Sequence, residues 1–156
     1  MTINRLYFVQ HGLAVDKAEN PDRPLSASGI EQTKLVAAQL SKQQVPISKI
    51  FHSGKLRASQ TADIFAKRLG VSTVSDVDYL SPNCDISVIT PLLDTDAALY
   101  VGHLPHLDKL SSFLLTDDEN KSIIHFQNSG VLCLGCSKQN YQIEWYLVPV
   151  QLSLDC

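Results

Sequence analysis

Short apolar runs alternate with stretches of helical periodicity along most of this chain, and that alternation restricts the fold more than any other feature. Leu6 to Val9 is a continuous apolar run ending in Gln10-His11-Gly12, the pattern of a strand buried on both faces that runs into a polar loop. Ile47 to His52, Ser72 to Val77 and Ala97 to Val101 are the next strand-like segments. Between the first two lies a helix over about Ser28 to Gln43, with Ser28 and Glu31 in S-x-x-E capping spacing, Val36, Ala37 and Leu40 on one face, and Pro46 forbidding continuation. A second helix covers about Lys55 to Leu69, its stripe formed by Ala58, Thr61, Ala62, Phe65 and Leu69, with Gly70 as the stop. Shorter helices are expected at Asp85 to Leu93 and, after Pro105, at His106 to Leu115. The last stretch changes character: Ile123 to Phe126, Val131 to Cys136 and Tyr141 to Val150 are strand-like runs separated by turn residues. The expectation is an α/β, three-layer domain: a mostly parallel sheet, helices on both faces, and C-terminal meander or edge strands.

A chain of 156 residues falls near the roughly 100 to 150 residues at which single domains cluster. No repeat or Pro/Gly/Ser-rich linker divides it, so residues 1–156 are read as one domain. Sixteen acidic against thirteen basic side chains leave a net charge of -3, so no long-range cationic field favours nucleic acid. Apolar runs such as Leu132 to Leu134 and Trp145 to Val148 are far shorter than the roughly 20 residues of a membrane helix. Met1 to Arg5 carries no leader-like pattern, so a cytoplasmic location is expected. Cys84, Cys133, Cys136 and Cys156 show no disulfide framework and are read as packing thiols. The C-x-x-C of Cys133 and Cys136 lies in a strand-like run without a second pair, which speaks against metal or redox chemistry.

Ligands in parallel α/β sheets bind beyond the carboxyl ends of the strands. Those ends carry Gln10-His11-Gly12, His52-Ser53 and Gly102-His103, and the second helix opens with Lys55-Leu56-Arg57. Two imidazoles and a guanidinium around one pocket suit an anion. A zinc site would need three or four ligands, and a guanidinium beside them would repel the cation, so neither metal nor cofactor is expected. Beside an anion, a neutral imidazole can attack phosphorus while a second group stabilises the transferring charge. The polar segment Gly12 to Leu25, holding Asp16, Lys17, Glu19, Asp22 and Arg23, reads as a long loop bordering the site.

Three motifs bring in a resemblance. Tyr7-Phe8-Val9-Gln10-His11-Gly12 resembles the first-strand R-H-G signature of the histidine phosphatase superfamily. Ser53-Gly54-Lys55-Leu56-Arg57-Ala58-Ser59-Gln60-Thr61-Ala62 is similar to that family's S-P-x-x-R-A-x-Q-T-A segment, and Val101-Gly102-His103-Leu104-Pro105 to its G-H-x-P motif. The chain length and Asp22-Arg23-Pro24-Leu25-Ser26 most resemble the small phosphohistidine phosphatases of the SixA type. The resemblance implies a phosphoglycerate mutase-like fold and makes His11 the nucleophile, with Arg57 and His103 gripping the phosphoryl oxygens and Arg23 joining from the loop. Gln10 stands where the family has arginine and offers a neutral hydrogen bond in place of a charged one. Gly54 replaces a proline and is expected only to loosen the turn.

The family's larger esterases carry a carboxylic acid that protonates the leaving alkoxide, and none of Asp16, Glu19, Asp22, Asp78 or Asp85 falls in a matching motif. An imidazole leaving group, with a conjugate-acid pKa of about 6.5, departs more readily than an alkoxide. The expected activity is therefore a metal-independent phosphatase acting on phosphohistidine of a phosphotransfer protein, through its own phosphohistidine. A phosphomonoesterase for small phosphate esters, or a phosphate- or phosphohistidine-binding module with little turnover, are the alternatives. Ser53 either caps the second helix or touches the phosphate; His52 and His125 are expected to be packing or surface positions, and His106 a candidate for the pocket rim.

Overall fold

The computed structural model describes residues 2–152. Six strands form one sheet: β1 (Arg5–Gln10), β2 (Lys49–His52), β3 (Val74–Asp76), β4 (Ala98–Gly102), β5 (Val131–Ser137) and β6 (Asn140–Leu147), in the spatial order β3-β2-β4-β1-β5-β6. The first four are mutually parallel, whereas β5 runs antiparallel to β1 and pairs in turn with β6. The helices are α1 (Ala27–Lys42), α2 (Leu56–Leu69), α3 (Ile86–Ile89) and α4 (His106–Thr116).

The central strands alternate strictly between two cores. Leu6, Phe8, Ala98 and Tyr100 face the side covered by α3 and α4, where Ile86, Ile89, Leu107 and Leu110 are buried. Tyr7, Val9, Leu99 and Val101 face α1 and α2 through Val36, Leu40, Ala62 and Phe65. This is why the runs are apolar at every position: each strand has a helix layer on both faces. Phe8, Tyr100 and Phe51 are register partners across β1, β4 and β2, and their rings stack at 5.5 Å and 5.0 Å between centroids. Each aromatic pair adds about 0.5–1.5 kcal/mol beyond area burial, and a slip of one residue would send these rings to the opposite face. The stack thus fixes the register that brings three strand ends level.

Several segments depart from the sequence expectation. The cap of α1 is Ser26, whose hydroxyl accepts from Gly29 N at 3.0 Å; Ser28 already lies in the first turn, so its S-x-x-E spacing is not used. The expected helix at Asp85 to Leu93 is one turn, α3, capped by Asp85 and followed by a 3-10 turn at Thr90–Leu92 where Pro91 enters. Ile123 to Phe126 is not a strand. Both neighbours of β5 are taken, and the segment is held as a loop by Phe126 packing edge-on to Tyr146 at 6.0 Å and by Gln127 N donating to the Tyr146 hydroxyl at 2.7 Å. β5 lies inside the sheet beside β1, so of the two C-terminal strands β6 alone is an edge, and β3 forms the opposite one. Cys133 is buried and Cys84 and Cys136 are half-buried free thiols; Cys156 lies outside the described residues. No helix among the described residues is long and apolar enough to cross a membrane.

Candidate active site

Register alignment builds the site. The last pairs of the β1–β4 and β2–β4 ladders are Gln10↔Gly102 and His52↔Val101, so His11, His103 and Ser53 leave neighbouring strands at nearly the same height. His11 N continues the ladder by donating to Gly102 O at 3.1 Å. The two imidazoles lie 4.9 Å apart between ring centroids, and His103 Nε2 shares a 2.6 Å hydrogen bond with Ser53 Oγ. Arg57, second residue of α2, turns back and donates from Nε to His11 Nε2 at 3.3 Å.

His11 is 9% exposed. Its Nδ1 lies 2.7 Å from Gly12 O; a carbonyl can only accept, so the hydrogen sits on Nδ1 and the Nε2 lone pair is left facing the guanidinium. Burial first, then the charges of Arg57 and Arg23, lower the His11 pKa to about 4. His103 is 2% exposed and is lowered to about 3 by burial, then by His11, Arg57, Lys55 and His106. Both rings are therefore neutral near pH 7. Among the described residues, every charged group acting on either ring is basic, and no carboxylate hydrogen-bonds His11, His103 or Arg57. Such a pocket has positive potential with an imidazole lone pair at its centre, and it suits an anion that can accept a nucleophile.

A backbone frame supports it. Thr61 Oγ accepts from Gly12 N at 2.9 Å and donates to Arg57 O at 2.7 Å, tying the loop after His11 to the helix that carries Arg57. From the other side, Asn128 Nδ2 donates to His11 O at 2.9 Å, and Ser129 N donates to Gln10 O at 2.9 Å. A Cβ at Gly12 would come within 2.8 Å of Thr33 Oγ and 3.1 Å of Ser129 Oγ, so only glycine lets the chain pass between them. Sequence reasoning missed Thr61, Asn128 and Ser129. The first read as part of an apolar stripe and the others as turn residues, and neither signal reveals which carbonyl a side chain will meet.

The expected site residues separate into two groups. The structure joins His11, Arg57, His103 and Ser53 by contacts. Arg23 is half-buried at φ 49, donates from Nε to Val15 O at 3.1 Å, and acts on His11 and Arg57 by charge. Gln10 is half-buried, and its Oε1 is shielded from solvent without a hydrogen-bond partner. Gly54 adopts φ 86, which proline with its fixed φ near −65° cannot; this turn is a different one, not a looser version of a proline turn. His106 is fully buried, not at a rim, and both its ring nitrogens lack partners. His52 is half-buried and accepts from Gly54 N at 3.1 Å, and His125 is exposed in a loop. Asp16, Glu19 and Asp22 are exposed, and Asp85 is spent on capping α3. No cluster of three or more metal-ligating side chains occurs among the described residues.

Comparisons with known proteins agree with this geometry. Residues 6–79 match the histidine phosphatase superfamily (branch 1). Over 96% of this chain and 97% of the relative, 28% of residues are identical to phosphohistidine phosphatase SixA of Escherichia coli. An uncharacterized protein of Picosynechococcus is 47% identical over 64 residues, a match that spans 39% of either protein. The solved structure of the protein histidine phosphatase SixA complexed with tungstate superposes with a TM-score of 0.84 at 25% identity, covering 95% of this chain and 99% of that one.

Proposed function

We propose that this chain, which matches the histidine phosphatase superfamily over residues 6–79, is a phosphatase that works through a transient phosphohistidine on His11 and takes the phosphoryl group from phosphohistidine on a phosphotransfer protein. The observation that carries the reading is the His11 ring: hydrogen on Nδ1 held by Gly12 O, and the Nε2 lone pair 3.3 Å from the Arg57 guanidinium. A nucleophile needs a neutral imidazole in line with phosphorus, and burial beside two cations supplies one.

In the first step Nε2 of His11 forms a bond to phosphorus as the N–P bond to the substrate imidazole breaks. The leaving imidazole carries the bonding pair away and is protonated from solvent. Arg57, Arg23 and His103 stabilise the equatorial oxygens, with the Gln10 amide and Ser53 hydroxyl as neutral partners. In the second step water attacks phosphorus, the P–Nε2 bond breaks, and orthophosphate leaves with neutral His11 restored. Neither step is assigned a metal or cofactor. The lack of a carboxylate at the rings favours a leaving group that departs unaided over an alkoxide. The reading takes residues 1–156 as one histidine phosphatase domain, supported by the single sheet among the described residues, whose strand ends lead into the loops and helix that carry the groups named.

The test is turnover of a phosphohistidine-bearing phosphotransfer domain beside p-nitrophenyl phosphate, with a metal chelator present, for the wild type and His11→Ala. His11-dependent release of phosphate, faster from the protein, is expected. Binding of phosphate without turnover of either substrate would return the protein to the class of binding modules.

A further inference from the structure

Three leucines stand exposed directly beside the groups of the active site. Leu13, two residues after His11, is 43% exposed; Leu56, one before Arg57, and Leu104, one after His103, are each 40% exposed. Single exposed leucines are ordinary on any protein surface. Here His11 meets both Arg57 and His103 within 4.9 Å, so three exposed leucines are rooted one or two residues from groups that meet in one site. Leu13 is also presented on a fixed backbone, because its carbonyl accepts from both Ser26 N at 2.8 Å and Ser26 Oγ at 3.0 Å.

Two of these leucines open grooves. Leu13 begins a groove of about 500 Å³ that continues over Leu35, Phe126, Pro149 and Val150 and is edged by side-chain amides, including Asn128, the donor to His11 O. No charged residue lines it. Leu104 begins a second groove of about 400 Å³ past Ile123 and Ile124 to the same Phe126, which both grooves share as a wall, with Asp108, Ser122 and His125 as its polar edge. The surface around the pocket is thus cationic at its centre, through Arg23, Arg57 and Lys55, and apolar at its rim.

We propose that the leucine rim and its two grooves form the docking surface for the protein that carries the phosphoryl group, a partner whose phosphorylated side chain projects from between apolar neighbours. The proposal rests on the phosphatase reading above and adds the chemistry of the partner's surface. Charge complementarity and continuity point to this occupant: an anionic phosphoryl group meets the cationic centre, and whatever delivers it to His11 from a protein must cross the leucines. A small phosphate ester reaches the same centre and leaves them in water. Apolar anchors in the middle of an interface dominate its energetics.

The experiment compares the uncharged variants Leu13→Ser, Leu56→Ser, Leu104→Ser and the triple variant on a phosphohistidine-bearing phosphotransfer domain and on p-nitrophenyl phosphate. On the protein substrate each single change should lower kcat/KM about fivefold to tenfold, and the triple change about a hundredfold, mainly through KM. On p-nitrophenyl phosphate all four should stay within about twofold of wild type, which also shows that they fold. Unchanged rates on the protein, or equal losses on both substrates, would overturn the proposal. So would a wild-type dimer that Leu13→Ser dissolves in sedimentation velocity, since the rim would then be a contact between copies. Loss of wild-type turnover on both substrates would instead defeat the phosphatase reading itself.

Discussion

On the parallel side of the sheet, β2, β4 and β1 end level with one another and release Ser53, His103 and His11 into one pocket, with Arg57 following on α2. On the antiparallel side, β5 and β6 are longer and better paired, yet the site draws from them only the loop before β5, where Asn128 and Ser129 hold the backbone of Gln10 and His11. Parallel strands all point their carboxyl ends the same way, so their loops accumulate at one edge. An antiparallel pair turns back on itself and closes the sheet. One half delivers reacting groups and the other fixes the frame, and the two should respond to substitution in different observables.

The largest effect is expected at the delivering edge. His11→Ala should lower turnover at least about a thousandfold with an unchanged thermal midpoint; retained turnover would break the division of labour. In the supporting half, Leu132 is fully buried on β5, and Leu132→Ala should cost about 2–5 kcal/mol of stability. The kcat of the folded fraction should stay at the wild-type value in urea-titrated samples, and a matching loss of kcat would show that the two halves are not separable.

Gln10→Arg adds a charge at the delivering edge. A neutral hydrogen bond worth about 1 kcal/mol replaced by a charged one worth about 1.5–3 kcal/mol predicts a rise in kcat/KM of roughly twofold to thirtyfold. No rise would mean that the amide already serves the phosphate fully.

The remaining effect is on acid stability, which is read in a different observable. The pKa values of His11 and His103 are depressed in the fold, to about 4 and about 3, against about 6.5 when unfolded. The unfolded chain binds more protons between those limits, so the stability tied to neutral rings is complete above about pH 6.5 and is lost as pH falls toward the folded values. Urea midpoints should therefore drop from pH 7 to pH 5, and drop less in His11→Gln. An equal drop in both would place the sensitivity elsewhere.

Much of this was readable in the sequence. Continuous apolar runs ending in His-Gly and Gly-His dictated buried strands that end together at one edge of the sheet, and the stripe of α2 with Gly70 at φ 67 gave that helix its face and its stop. What stayed hidden depends on partners distant in sequence. Ile123 to Phe126 has strand composition, but β5, the strand that follows it, is already paired on both sides. The bond from Asn128 to the His11 carbonyl spans 117 residues, and no local pattern announces it. Gly54 read as a relaxed proline position because its φ of 86 is a property of the turn, not of its neighbours.

The central claim is that His11 Nε2 carries the phosphoryl group between substrate and water, and trapping that species tests it most directly. Wild-type protein mixed with a phosphohistidine-bearing phosphotransfer domain is quenched in alkali within the first turnover, and intact mass and peptide mapping are read. The account predicts a mass increase of one phosphoryl group confined to His11, which appears and decays as orthophosphate forms and is absent in His11→Ala. Orthophosphate formed in the first turnover with no phosphoryl group on His11 at any time, or with the group on another residue, would contradict it.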